Sequence, residues 1–175
     1  YPVNQSGDKV FLNDHFWSNL ETISAEARRV RKPFWSFALP TTHASYPIPT
    51  IDHLRLQLYA DLAYGAQCLQ YFTYWNPGTE TWNFHQAPVT QDGLRSPVYE
   101  LVREMNREIQ ARADVFLGAQ VTSVRHTGKD IPMGTQRLET LPPHIIQLDT
   151  HGQGALVSCL TNKGKEYVVI QNTSV

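Results

Sequence analysis

Apolar residues change their period along this chain, and each change predicts a different kind of element. Trp17, Leu20, Ile23, Ala27 and Val30 recur at three- and four-residue spacing, which predicts a helix from a cap at Asn13 or Asp14 to about Arg31. The basic run Arg28-Arg29-Val30-Arg31-Lys32 closes it, where cations face the negative end of the helix dipole. Pro33 stops the helix, and the apolar run Phe34–Leu39 predicts a short strand, with Trp35 assigned to the core. A loop rich in Pro, Thr and Ser follows, from Pro40 to Pro49. Thr50 is the expected N-cap of a second helix, whose stripe is Ile51, Leu54, Leu58 and Leu62, widened by Leu56 and Tyr59. Small residues near its end (Ala60, Ala63, Gly65, Ala66) permit close approach to a sheet. Cys68–Trp75 reads as a strand apolar on both faces, as in a buried parallel sheet. Two strands joined by a helical crossover form a βαβ unit, so these two are expected to run parallel.

The long loop Asn76–Arg95 carries Trp82, Phe84 and His85, and loops of that length within a domain are usually functional or disordered. Ser96 with Pro97 behind it predicts a third helix, with Val98, Leu101, Val102, Met105 and Ile109 on its apolar face. Beyond Gly118 the pattern turns to short strands at Val121–His126, His144–Asp149, Ala155–Leu160 and Tyr167–Gln171, the last two as a hairpin. This predicts strand–helix units over 1–117 and an antiparallel β domain over 118–175.

Composition narrows the partners. A net charge of −1 and no Lys/Arg stripe argue against nucleic acid, and no apolar run is long enough to span a bilayer. Cys68 and Cys159 fall in predicted strands and read as reduced thiols. With neither a CxxC nor an HxxxH pair, no metal and no cofactor is expected. The chain opens on Tyr1-Pro2-Val3, without an initiator Met or a signal segment, which reads as a start inside something larger or as a processed secreted domain.

In parallel β/α architectures the chemistry gathers at the C-terminal ends of the strands. Here those ends offer His43, Tyr74, Trp75 and Asn76, with Trp82 in the following loop. Flat rings suit the C–H face of a pyranose, and an amide supplies both donor and acceptor to hydroxyls; phosphates are poorly served. These residues form the expected substrate-binding set. Glu80 and His43 are the candidates for acid–base work, ahead of Asp52, His53 and His85.

Lys32-Pro-Phe-Trp35, the helix Leu54-Arg-Leu-Gln57 to Leu62-Ala-Tyr-Gly-Ala66 and the strand Gln70-Tyr-Phe-Thr-Tyr-Trp75 together resemble the last strands of (β/α)8-barrel glycoside hydrolases. The likeness is to β-galactosidase-type families and their uncharacterised bacterial relatives. It continues through Tyr99-Glu100 and Asn106-Arg-Glu108 to Val121–Gly128 and covers roughly residues 1–130. The resemblance implies the C-terminal portion of a (β/α)8 (TIM) barrel followed by a small antiparallel β domain. Tyr1-Pro2 would close its sixth strand, Phe34–Leu39 would be the seventh and Cys68–Trp75 the eighth. It also implies a secreted or periplasmic carbohydrate-active protein. Retaining members use two carboxyl groups about 5–5.5 Å apart. The family's nucleophile position falls on Ala38, and its acid/base lies upstream of Tyr1. The chain is therefore expected to be inactive alone, or to be a non-catalytic carbohydrate-binding scaffold. Its exposed strand edge would be covered by a missing N-terminal barrel segment or by a second copy of the chain.

Overall fold

The first element is a hairpin that the hydropathy pattern does not announce. Strands β1 (Val3–Ser6) and β2 (Lys9–Leu12) pair antiparallel, from Val3 opposite Leu12 to Ser6 opposite Lys9. The Gly7-Asp8 turn between them has its first residue at φ 58°, as a type II′ turn requires. The computed structural model describes residues 1–174. Helix α1 (His15–Val30) follows, its first turn held by Asn13 Oδ1, which accepts from the His15 amide at 3.0 Å. Then come strand β3 (Trp35–Ala38), helix α2 (Ile51–Ala63) and strand β4 (Cys68–Tyr71). Helices α3 (Pro97–Ala111) and α4 (Ala113–Phe116) lead to strands β5 (Gln120–Thr127), β6 (Ala155–Asn162) and β7 (Lys165–Asn172).

β3 and β4 run parallel in register Trp35–Cys68 to Ala38–Tyr71, as the crossover demands. They form a two-stranded sheet with no further strand on either side among the described residues. The architecture is thus four helices with small sheets of two, two and three strands, and the expected C-terminal portion of a (β/α)8 barrel is not present. Tyr1-Pro2 closes no strand beside β3; the chain turns there into the β1–β2 hairpin instead. The predicted strand Cys68–Trp75 ends at Tyr71, and the expected strand His144–Asp149 is irregular. In the latter, Pro142 and Pro143 precede His144, which sits at φ 69°, a left-handed geometry that no strand tolerates.

The core is centred on α2, which is buried nearly all round. One side, with Leu56, Ala60, Ala63 and Tyr64, packs against Trp17 and Leu20 of α1 and against Val124 and Leu156 of the three-stranded sheet. The other, with Leu54 and Leu58, packs against Val98, Val102 and Met105 of α3 and against Ala38. Gly65, at φ 100°, brings the end of α2 so close to β5 that a Cβ there would meet Val121 Cγ2 at 2.9 Å. Ser158 Oγ of β6 donates to the Ala63 carbonyl at 2.7 Å and fixes the sheet to the helix end. The β6–β7 hairpin turns at Lys163-Gly164, both at positive φ, the signature of a type I′ turn.

α1 is rotated from its predicted face. Ile23 and Val30 are exposed, and Ser24 is buried in their place, donating to the Tyr64 carbonyl at 2.6 Å. Beside it lies a polar chain in the core. Tyr64 Oη donates to Glu21 at 2.9 Å and so accepts from His126 Nε2 at 2.9 Å, which leaves His126 Nδ1 as the unprotonated nitrogen, sealed and without a partner. Burial pulls the His126 pKa down to about 4. Cys68 and Cys159 are free thiols on β4 and β6. Among the described residues no helix is long and apolar enough to cross a membrane.

Candidate functional site

Local chemistry sets the ends of the elements that carry the site. Thr50 Oγ1 accepts from the His53 amide at 3.1 Å, and His53 Nδ1 accepts in return from the Thr50 amide at 3.4 Å, a reciprocal capping box. His53 is therefore a cap, not an acid–base group, and burial lowers its pKa. Asp52 pairs with Arg55 at 3.2 Å on the same helix. Ser96 caps α3 by accepting from the Val98 amide at 3.1 Å. These caps fix where β3 and β4 release the chain into loops.

The loops at the C-terminal ends of β3 and β4 are laced into one rim. Thr41 Oγ1 donates to the Thr73 carbonyl at 2.6 Å and accepts from the Thr73 amide at 3.2 Å. The His85 amide donates to the Thr42 carbonyl at 2.9 Å, and the Ala44 amide to the Trp82 carbonyl at 3.2 Å. On the far side the Val89 amide donates to the Tyr74 carbonyl, and the Asn76 amide to the Val89 carbonyl. The rim thus contains His43, Tyr74, Trp75, Asn76 and Trp82, the whole expected sugar-binding set.

Their individual placements differ. His43 is buried in an aromatic cage, with ring centroids 4.4 Å from Phe84, 4.9 Å from Tyr46 and 6.2 Å from Phe72. Its Nδ1 donates to the Thr41 carbonyl at 3.1 Å, which leaves Nε2 as an acceptor with no protein partner but not sealed from solvent. Trp75 and Trp82 are 50% and 58% exposed, and Tyr74 is similarly open, lying 6.3 Å from the Tyr99 ring. Asn76 Oδ1 accepts from the Gly78 amide at 2.9 Å, so this side chain shapes the loop and has only its NH2 left to offer. Glu80 is exposed and makes no hydrogen bond or ion pair among the described residues. His85 Nδ1 lies 2.7 Å from the Asn83 carbonyl. Of the residues that form the cage, Phe72 was expected within the strand Cys68–Trp75 and Phe84 in the following loop without a role, while Tyr46, in the loop Pro40–Pro49, went unassigned.

Two sequence assignments on β3 change here. Trp35, expected in the core, is 64% exposed, and Phe37 is 51% exposed on the same face of the strand. Ala38, at the position where the resemblance places a nucleophile, is fully buried among Leu54, Leu58 and Val98. A carboxylate there would point into the helical layer and not toward the rim.

A cavity of about 850 Å³ lies elsewhere, between α2, α3 and β7. Its charged groups are spent on one another: Arg55 donates to Glu108 at 2.5 Å and to Asp52, which raises the Arg55 pKa and lowers that of Glu108. This cluster ties α2 to α3; on the cavity wall Gln171 Nε2 donates to the Leu56 carbonyl at 2.8 Å and its Oε1 is buried without a partner among the described residues. Among the described residues no group of three or more His, Cys, Asp or Glu side chains could hold a metal ion. No family model matches the chain, and no curated protein matches it.

Proposed function

We propose that the rim above β3 and β4 binds carbohydrate without cleaving it. The observation that carries this reading is the set of half-open rings, Tyr74, Trp75 and Trp82, on laced loops beside the free Nε2 of His43. Ring faces take the C–H side of a pyranose while His43 Nε2 accepts from a hydroxyl and the Asn76 amide nitrogen donates to one. Glycoside cleavage needs two facing carboxyl groups. The carboxylates of the rim loop, Glu80 and Asp92, are both exposed, and Ala38 is buried against the helical layer.

Calorimetric titration with a panel of β-linked oligosaccharides tests the proposal, with an assay for release of aryl aglycones alongside. Binding is expected without turnover, and Trp75→Ala or Trp82→Ala should each weaken it by about two- to tenfold, the range of a single aromatic contact. Absence of binding across the panel, or affinity untouched by both substitutions, would overturn it.

A further inference from the structure

The outer edge of β3 is open. Phe34 and Ala38 turn their carbonyls toward β4, accepting from the Gln67 and Phe72 amides at 3.0 and 2.9 Å, so in a parallel ladder Trp35 and Phe37 turn their backbone groups outward. Among the described residues those groups meet no backbone partner. At the next outward position the edge is closed: Gln57 Oε1 accepts from the Leu39 amide at 2.8 Å and its Nε2 donates to the Leu39 carbonyl, imitating a neighbouring strand. The opening is therefore one short stretch, two residues of β3, with an end stop.

Beneath that stretch lies a groove of about 490 Å³ between β3 and α1, walled by Phe16, Leu20, Ile23 and Phe37, with Ser36 and Asp61 at its floor. Asp61, on α2, is 1% exposed, and neither carboxylate oxygen completes a hydrogen bond. It also forms no ion pair among the described residues. Burial pushes its pKa up to about 8, with Ser36 and the Tyr1 amino group pulling the other way. A buried carboxyl offset only by Ser36 and the Tyr1 amino group, with no hydrogen bond of full geometry, is costly and needs an explanation.

We propose that the β3 edge receives an extended peptide strand carrying a basic side chain, Arg or Lys, which enters the groove and pairs with Asp61. The strand's backbone bonds to the outward amide and carbonyl groups of Trp35 and Phe37, as in β-strand addition. Its neighbouring apolar side chains lie on the exposed Trp35 and Phe37 rings. An ammonium or guanidinium brings charged donors to both Asp61 oxygens, whereas the neutral amide of Gln donates without a compensating charge.

The probe is a capped seven-residue peptide alternating Thr and Val with a central Arg, compared with its central-Gln counterpart, in amide and indole NMR titrations of the whole chain. The Arg peptide is expected to shift the Trp35 indole and the Phe37 amide and to bind about tenfold or more tightly than the Gln peptide, the scale of one charged hydrogen bond. Asp61→Asn should fold and should abolish that preference. Equal binding of the two peptides, an unchanged preference in Asp61→Asn, or no shift at Trp35 and Phe37 at millimolar peptide would each overturn the proposal. So would Trp35 shifts that follow protein concentration alone, which would make a second copy the occupant. Shifts at Trp75 and Trp82 are not read here, so failure at this edge and failure of the sugar-binding rim are separately visible.

Discussion

The two main sheets of this protein are built to opposite specifications. In the β5–β6–β7 sheet, strands of eight residues pair along their length, β6 is central, and its buried side chains rest on α1 and α2. In the β3–β4 sheet, strands of four residues pair only with each other, and Trp35 and Phe37 lie open to solvent. The first arrangement flanks its central strand on both sides and packs it against helices; the second has no flanked strand and leaves an aromatic face to be met by something else. Exposed apolar faces and unpaired edges are where partners bind, whereas a strand paired on both sides and packed on helices supplies the rigidity that holds them in place.

The largest contrast should come from truncating each region. Leu156→Ala, at the fully buried centre of the three-stranded sheet, is expected to destabilise by about 2–5 kcal/mol in urea unfolding, whereas Phe37→Ala should change stability by about 0.5 kcal/mol or less. Comparable losses at both positions would erase the distinction.

Charge separates the regions next. Asp61 has its pKa raised from 3.8 to about 8, so the native state keeps a proton that the unfolded chain releases. Its contribution to stability is full below pH 3.8 and is lost as pH rises toward 8. His126 is the opposite case: its pKa falls from 6.5 to about 4, so its contribution is present above pH 6.5 and lost as pH falls through 4. Asp61→Asn is therefore expected to stabilise the protein by on the order of a few kcal/mol near pH 9 and to change little near pH 4. It should also unmask a rise in stability between pH 4 and 6.5 that belongs to His126. A flat difference between the two proteins across that pH range would contradict the burial of Asp61.

A smaller effect is expected in the polar chain that joins α1, α2 and β5. Tyr64→Phe removes the hydroxyl between Glu21 and His126 and leaves His126 Nε2–H buried without an acceptor. The expected loss is about 1–3 kcal/mol by chemical unfolding. Trp75→Ala and Trp82→Ala, like Phe37→Ala, should alter stability by about 0.5 kcal/mol or less, because their rings contribute little to the core.

Features whose causes lie within a few residues were legible in the sequence. The Thr50 and Ser96 caps, the parallel β3–β4 pair with its crossover helix and the Lys163-Gly164 hairpin all follow from local signals. The Gly7-Asp8 turn was a local signal too, but the sequence reading placed no strand on either side of it. What could not be read depends on residues far apart in the chain. Ser24, Gln57 and Asp61 look like surface positions of their helices until Tyr64, Leu39 and the β3 groove are placed beside them. The aromatic run in β3 reads as core because sequence shows alternation but not which face is covered. The barrel expectation failed for a related reason: a βαβ unit looks the same whether its sheet continues or stops at two strands.

The indole protons of the four tryptophans give the most direct test, because each reports a different region. Trp17 lies in the core, Trp35 on the open face of β3, and Trp75 and Trp82 on the rim. In a titration with β-linked oligosaccharides, the indole signals of Trp75 and Trp82 are expected to move together and saturate, while those of Trp17 and Trp35 stay fixed. Signals that all stay in place across the panel, or that move at Trp35 and not at the rim, would contradict the account.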